Sequence, residues 1–489
     1  MLYQPNIRQF YYRSSLLSSL RLHNIPTVFL FTAALLLSTM QQTVAYTIVI
    51  GLNPALQKRF ILSPKTPFLT PGSVHRAVEI QEGIGGKGQD VYVALHCLSS
   101  YRSNGGNHLD HNHHRHVKLV QFLGNGAEGD TVLSYFLGRY DKDMDLSLTI
   151  RNSDKLRICT TIVNSDEPSN FNVINKSIGG GSTELIEPSG TIQPKEIEEL
   201  RHALKSLAIE DNCLGNQQLE SISGICIMGT MPPGCPSSLY AELYRIIMSK
   251  HKNNVEYSPL CLIDSVIGLD HLFHEMNLHR NTKKKTNMLK INLEELCMIT
   301  ETRSEVSEVA NAEIDRIKRA MKGLYKKFPE SRNALSFVSI TNGMYPAYMV
   351  HVNNDQSIPD DKDTYNNDVI YRFSIPLLSS SRPPLTYDSG NLNMGEDTKL
   401  YTIGAGDAVT ACTLAAWEYL TNKKSDQRLD ESIRASLLKS VVFGEDIANT
   451  AFSFGLACGT ASCIEKENSV FNIPYALRLF EQMERPKKM

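Results

Sequence analysis

The chain has 489 residues, 42% of them hydrophobic and 21% charged, enough for one large or two ordinary soluble domains with a substantial core. A formal net charge of −2 argues against a nucleic-acid-binding face. Ten cysteines without a C-x-x-C pair signal neither a zinc site nor a disulfide framework, and read as small apolar core residues in a reducing compartment.

The first acidic residue is Glu79. Arg8, Arg13 and Arg21 precede an apolar run, Val28–Leu37, which is too short to span a bilayer and is followed by the small-residue stretch Thr43-Val44-Ala45. Residues 1–45 therefore read as a removed targeting segment, sending the chain to an organelle (plastid or mitochondrion) or into the secretory route, with a cytoplasmic location as the alternative. No stable membrane span is expected in the mature chain. The fold is expected to begin at Tyr46-Thr47-Ile48-Val49-Ile50, an uncharged β-branched run with the character of a buried strand. It ends at Asn53-Pro54-Ala55-Leu56, and open α/β sheets place ligands where strands end in polar loops.

Short runs over residues 60–82 suggest small strands. After them, Gly83-Ile84-Gly85-Gly86-Lys87-Gly88-Gln89-Asp90 leads into an apolar helical stretch. This is not a Walker A loop, because the spacing is wrong and no Ser or Thr follows Lys87. It is a glycine-rich helix start that carries a cation. Five histidines between His108 and His116 could hold a metal, but nothing apolar orders them and a solvated loop is expected. Strands are expected at 117–124, 156–163, 225–228 and 262–264. Asn292 and Glu295, three residues apart, face one side of a helix start, where they suit either a capping box or water held around Mg²⁺. Phe337–Thr341 reads as a strand ending in a polar turn, and residues 353–399 as loop insertion with two small strand-like runs and little core.

A second glycine-rich helix start stands at Tyr401-Thr402-Ile403-Gly404-Ala405-Gly406-Asp407-Ala408. Unpartnered N–H groups and the helix dipole make such a place fit for an anion. Asp407 in that turn suits proton abstraction from a hydroxyl while charge develops on a transferring phosphoryl group.

Gly85-Gly86-Lys87-Gly88 and Gly404-Ala405-Gly406-Asp407 together resemble the two signatures of the ribokinase-like (pfkB) carbohydrate kinases. Leu52-Asn53-Pro54-Ala55-Leu56 resembles the 1-phosphofructokinase and tagatose-6-phosphate kinase branch. The resemblance spans roughly residues 46–475. It implies an α/β fold over residues 46–489: a mainly parallel sheet flanked by helices, a small β-sheet lid near 56–84 and 155–188, and insertions near 101–116 and 353–399. The implied activity is transfer of the ATP γ-phosphoryl group to a sugar hydroxyl, most readily that of a phosphorylated ketohexose. Asp407 is then the base, and the N–H groups of Gly404, Ala405 and Gly406 face the phosphoryl group. Asn53, Gln57, Arg76, Gly85, Gly86, Lys87, Asp90, Arg157 and Thr230 bind the substrate, with Lys87, Arg76 and Arg157 on its phosphate. Lys290, Asn292, Thr341 and Gly343 bind ATP, and Asn292 and Glu295 hold Mg²⁺ through water. A homodimer through the lid is a further implication.

The pattern departs from the family at two places. Gln57 replaces an Asp, and Asp90 replaces an Asn that donates to a sugar oxygen, so negative charge stands where a substrate phosphate would be disfavoured. The alternatives are a kinase of the same fold for an unphosphorylated sugar or nucleoside, and a catalytically inactive scaffold in an organelle.

Overall fold

The computed structural model describes residues 45–63, 69–101, 116–139, 144–163, 182–213, 221–249, 258–279, 286–302, 310–353, 367–376, 401–421, 429–442 and 446–489. The expected targeting segment, apart from Ala45, and the histidine run, apart from His116, lie outside them, as does most of the insertion expected over 353–399.

The strands of the large sheet are β1 (Ala45–Ile50), β4 (His116–Asn125), β5 (Thr149–Lys155), β8 (Ser221–Met228), β9 (Leu260–Asp264), β10 (Asn287–Asn292), β11 (Phe337–Thr341), β12 (Ala347–His351), β13 (Val369–Phe373) and β14 (Lys487–Lys488). Their order is β14-β13-β12-β11-β10-β9-β8-β1-β4-β5. From β11 to β5 all neighbours run parallel, and β12, β13 and β14 continue the edge antiparallel. β13 lies within the stretch expected as insertion with two small strand-like runs; Ile370 and Phe373 are buried as its alternating apolar residues pair with β12.

The parallel strands are buried on both faces, and their period of two divides the core. Val49, Leu119, Cys226 and Leu262 face one layer, built from α1 (Lys87–Ser100), α2 (Ala127–Arg139), α9 (Ala405–Thr421), α10 (Glu431–Val442), α11 (Ile447–Ser462) and α12 (Ile473–Gln482). Ile48, Val120, Ile225 and Ile263 face the other, built from α3 (Pro194–Cys213), α4 (Leu239–Met248), α5 (Leu269–Leu278), α6 (Leu293–Ile299), α7 (Ala310–Lys327) and α8 (Ser331–Ala334). Each wholly buried Leu, Ile or Phe contributes roughly 2 kcal/mol relative to exposure, so the sheet's carboxyl edge is a rigid platform.

A separate sheet of β2 (Ala55–Leu62), β3 (Ala77–Gly85), β6 (Arg157–Val163) and β7 (Ser182–Ile186) has the order β3-β2-β6-β7. β2 leaves directly from the end of β1, so this sheet stands over the carboxyl edge. Its inner face carries buried Gln57, Arg59 and Thr161, while Val78, Ile80 and Leu185 are exposed on the outer face.

After β1 the large sheet grows towards β4 and β5. From β8 onward it grows the opposite way. The reversal lies between β1 and β8, the position at which doubly wound sheets open a crevice for ligands.

Candidate active site

At that reversal a cleft of about 540 Å³ is bounded by the small sheet, the starts of α1 and α9, and the ends of β8, β9 and β10. α1 starts close to the end of β1. A Cβ on Gly51 would lie 2.5 Å from the Gly88 Cα, so neither position has room for a side chain. α9 starts at Gly404, whose φ of +82° favours glycine, and a Cβ there would lie 2.8 Å from the Ser469 backbone nitrogen. Ser469 Oγ donates to the Gly404 carbonyl at 2.8 Å and fastens the turn. Ala405 N–H donates to Thr402 O at 3.3 Å and Asp407 N–H to Gly404 O at 3.1 Å. Among the described residues the Gly404 and Gly406 N–H groups meet no backbone carbonyl, so these two of the three expected anion donors remain open.

Beneath this turn lies a charge network centred on buried Asp264 and Lys290. Lys290, on β10, donates to Asp264 Oδ2 at 2.7 Å, and Thr410, on α9, donates to the same oxygen at 3.0 Å. Lys87, at the start of α1, donates to Asp264 Oδ1 at 2.9 Å and stands 3.5 Å from Glu295 Oε1. Lys290 Nζ would lie 3.1 Å from a Cβ on Gly406, so its charge sits under the turn. Burial opposes ionisation of Asp264, but the two ammonium groups outweigh it and hold the acid down at about 2. Burial likewise opposes the charge on Lys87, yet Asp264, Asp407 and Glu295 raise its pKa.

Asp407 lines the cleft in the first turn of α9. Burial, reinforced by the charge of Asp264 and opposed by Lys87 and Lys290, pushes its pKa up to about 7. It is thus poised to exchange a proton near neutral pH.

At the opposite end of the cleft, Asn53 Nδ2 donates to Thr230 Oγ1 at 2.9 Å, and its Oδ1 accepts from Ser189 at 2.8 Å. Gln57 Nε2 donates to Thr161 at 2.8 Å. Asp90 is buried between this end and a smaller cavity of about 180 Å³ behind it. Burial, with the charge of Asp407, raises its pKa against the pull of Arg59.

Several expected site residues stand elsewhere or are already engaged. Arg76 is exposed and precedes β3 at the end where Ala77 pairs with Leu62, whereas Gly85 at the cleft pairs with Ala55, so the strand's length carries Arg76 away from the cleft. Arg157 lines the cleft, but it donates through Nη2 to Asn53 O at 2.8 Å and through Nε to Pro54 O at 3.2 Å. Asn292 and Glu295 form a capping box at α6: Asn292 Oδ1 accepts from Glu295 N–H at 2.7 Å, and Glu295 Oε2 from Asn292 N–H at 3.2 Å. Glu295 keeps Oε1 towards the cleft, so it fits a hydrated cation better than Asn292 does. Thr341 is registered beside Asn292, and Gly343 follows in a turn at φ +58°. Both adjoin the cleft's edge and are not part of its lining. Gly85 closes β3 beside Gln57, and Gly86 caps α1 in the cleft wall. Among the described residues no group of three or more His, Cys, Asp or Glu side chains is placed to hold a metal directly.

Sequence reasoning gave no role to Asp264, Arg59 or Asn468. Asp264 had a usable signal, an acid at the carboxyl end of a buried strand. Arg59 and Asn468 had none: they meet only because Arg59, inside the small sheet, reaches Asn468 Oδ1 and Lys466 O.

No protein-family profile matches the chain, and no curated protein matches it in sequence. Solved structures do resemble it. Phosphofructokinase-2 from Escherichia coli, in complex with potassium, superposes with a TM-score of 0.53 at 14% identity, covering 90% of this chain and 99% of that one. A protein described as a possible 1-phosphofructokinase from Thermotoga maritima gives 0.53 at 13% identity, covering 91% and 99%. Ribokinase from Giardia lamblia gives 0.53 at 13%, covering 90% and 99%. With the parallel sheet, its reversal point and the separate small sheet, these likenesses establish that the chain has the ribokinase-like, pfkB-type fold.

Proposed function

We propose that the chain is a carbohydrate kinase that moves the γ-phosphoryl group of ATP to a hydroxyl of a sugar. The observation that carries this reading is Asp407, a buried carboxyl with its pKa pushed up to about 7 in the first turn of a glycine-started helix, with Lys87 and Lys290 among the charges acting on it.

The acceptor hydroxyl gives its proton to Asp407 while its oxygen attacks the γ-phosphorus. The bond from that phosphorus to the bridging oxygen breaks, and ADP leaves. Negative charge on the transferring group faces the Gly406 N–H, the positive end of the α9 dipole and the two ammonium groups. These donors are held in place before substrate arrives, by Ser469 on the turn and by Asp264 on the lysines. When bound with ATP, Mg²⁺ would neutralise charge on the phosphate oxygens. Glu295 would hold it through water. Lys290, Asn292, Thr341 and Gly343 mark the ATP side of the cleft, and the small sheet is the lid over the acceptor. Exposed Val78, Ile80 and Leu185 on the lid's outer face support a homodimer in which a second lid covers them.

ADP release measured across a panel of sugars, sugar phosphates and nucleosides tests the reading. Turnover that Asp407→Asn abolishes supports it. A folded wild-type protein that consumes no ATP with any acceptor would instead support the catalytically inactive scaffold.

A further inference from the structure

We infer that the acceptor is a neutral polyol, a sugar or nucleoside that carries no phosphate before the reaction. This rests on the kinase reading of the cleft and deepens it. The argument is one of charge at the acceptor end. An arriving phosphate dianion needs cations free to meet it, and the resemblance to phosphosugar kinases looked for them in Lys87, Arg76 and Arg157.

Lys87 lines the cleft but is committed to carboxylates, bonded to Asp264 at 2.9 Å and 3.5 Å from Glu295. Arg76 is displaced along β3 from Gly85 by about 30 Å, at roughly 3.4 Å per residue. Arg157 lies in the acceptor wall, but its Nε and Nη2 donate to the carbonyls of Pro54 and Asn53. One of the two edges with which a guanidinium can grip a phosphate is therefore already used in fixing the β1–β2 connection. Arg59 lies in the lining of the smaller cavity, not of the cleft, and donates to Asn468 and to Lys466 O.

Two acids share the acceptor end with Arg157. Asp90 lies in the floor and Glu184, on β7, in the lid above. A phosphate there would meet the Glu184 carboxylate, an Asp90 carboxyl that burial holds towards its neutral form and one partly committed cation, so little offsets its charge. A hydroxyl meets the opposite. Gln57 has its nitrogen on Thr161 and its oxygen free to accept, Asn53 and Thr230 are neutral, and Asp90 and Glu184 accept from adjacent hydroxyls. The Lys290 ammonium lies under the Gly406 turn, where ATP would bring its own negative charge.

The test is a pair of measurements on the full chain with Mg²⁺ and ATP. ADP release gives kcat/KM for fructose, ribose and adenosine, and for fructose 1-phosphate and fructose 6-phosphate. Calorimetry gives the affinity of each acceptor without turnover. The expected result is a preference of roughly tenfold or more for an unphosphorylated acceptor, in rate and in affinity. The free sugars and adenosine separate a sugar from a nucleoside. Glu184→Gln, on the exposed lid strand, is expected to narrow the preference by admitting the phosphate esters. A phosphate ester turned over better than every free acceptor overturns the inference and leaves the kinase reading standing. No ADP release with any acceptor overturns the kinase reading and this inference with it.

Discussion

Lys290 Nζ lies 2.7 Å from Asp264 Oδ2, and both side chains are buried. The same carboxylate holds Lys87 through its other oxygen at 2.9 Å. One acid at the end of β9 thus fixes two cations on neighbouring elements, and its charge raises the pKa of Asp407.

Asp264→Asn leaves Lys290 buried without its counter-charge. The expected loss is about 3–5 kcal/mol of unfolding free energy by urea denaturation at pH 7, the usual cost of removing one partner of a buried pair. Asp264 is depressed to about 2 in the folded protein against about 3.9 when unfolded. A carboxyl with a depressed pKa stabilises the fold above its unfolded value and loses that contribution as pH falls. The gap between wild type and variant should therefore hold above pH ~4 and narrow from there towards pH ~2. A gap that is flat across this window would contradict the pairing.

Asp407→Asn is expected to lower kcat by about 10²–10⁴-fold with ATP affinity retained. In the wild type, kcat/KM should rise with pH through an apparent pKa near 7, because only the ionised carboxylate accepts the proton. Stability should move the other way. The unfolded acid ionises near pH ~4 while the folded one keeps its proton to about 7, so Asp407 opposes folding increasingly across that interval. The Asn variant should gain stability relative to wild type between pH 5 and 8, as read by thermal unfolding. A pH–rate profile that is flat from 5 to 9 would remove Asp407 as the base.

Gly404→Ala places a methyl group 2.8 Å from the Ser469 nitrogen at a φ of +82°. The left-handed backbone alone costs about 1–2 kcal/mol for a residue with a Cβ, and the contact with fixed backbone adds to it. A lower melting temperature and a raised KM for ATP are expected, since the turn that meets the phosphoryl group is displaced.

Gly51→Ala brings a methyl group to 2.5 Å from the Gly88 Cα. Backbone cannot swing aside as a side chain does, so α1 must shift, at about 1–3 kcal/mol. Lys87 and Asp90 move with α1. The KM values for acceptor and ATP should rise together, whereas an effect confined to the acceptor would mean that α1 had stayed in place.

Much of the fold could be read from local pattern. Uncharged β-branched runs at Tyr46–Ile50 and Phe337–Thr341 gave strands because a doubly covered parallel sheet buries both faces of each strand. Both glycine-rich helix starts were visible, since a backbone that must turn sharply and leave N–H groups open has few residue choices. β13 was less legible: a short strand-like run among Asn, Asp, Ser and Pro becomes sheet only when a neighbouring strand supplies its hydrogen bonds.

Within the cleft, the sequence by itself determined which residue types stand ready: two helix starts, an acid beside one and a lysine beside the other. Those follow from backbone conformation, which neighbours along the chain impose. Only the tertiary structure decided where each charge is spent. Lys87 lies 177 residues from Asp264 and Arg157 lies 104 from Asn53, so no spacing rule links them. The sheet order brings the ends of β1, β8, β9 and β10 to one edge, where burial favours charges that are paired, as Asp264 is with Lys87 and Lys290, and pushes Asp407 towards its neutral form. That pairing engages Lys87 with Asp264 and Glu295, and leaves Asp90 and Glu184 in the lining of the same cleft.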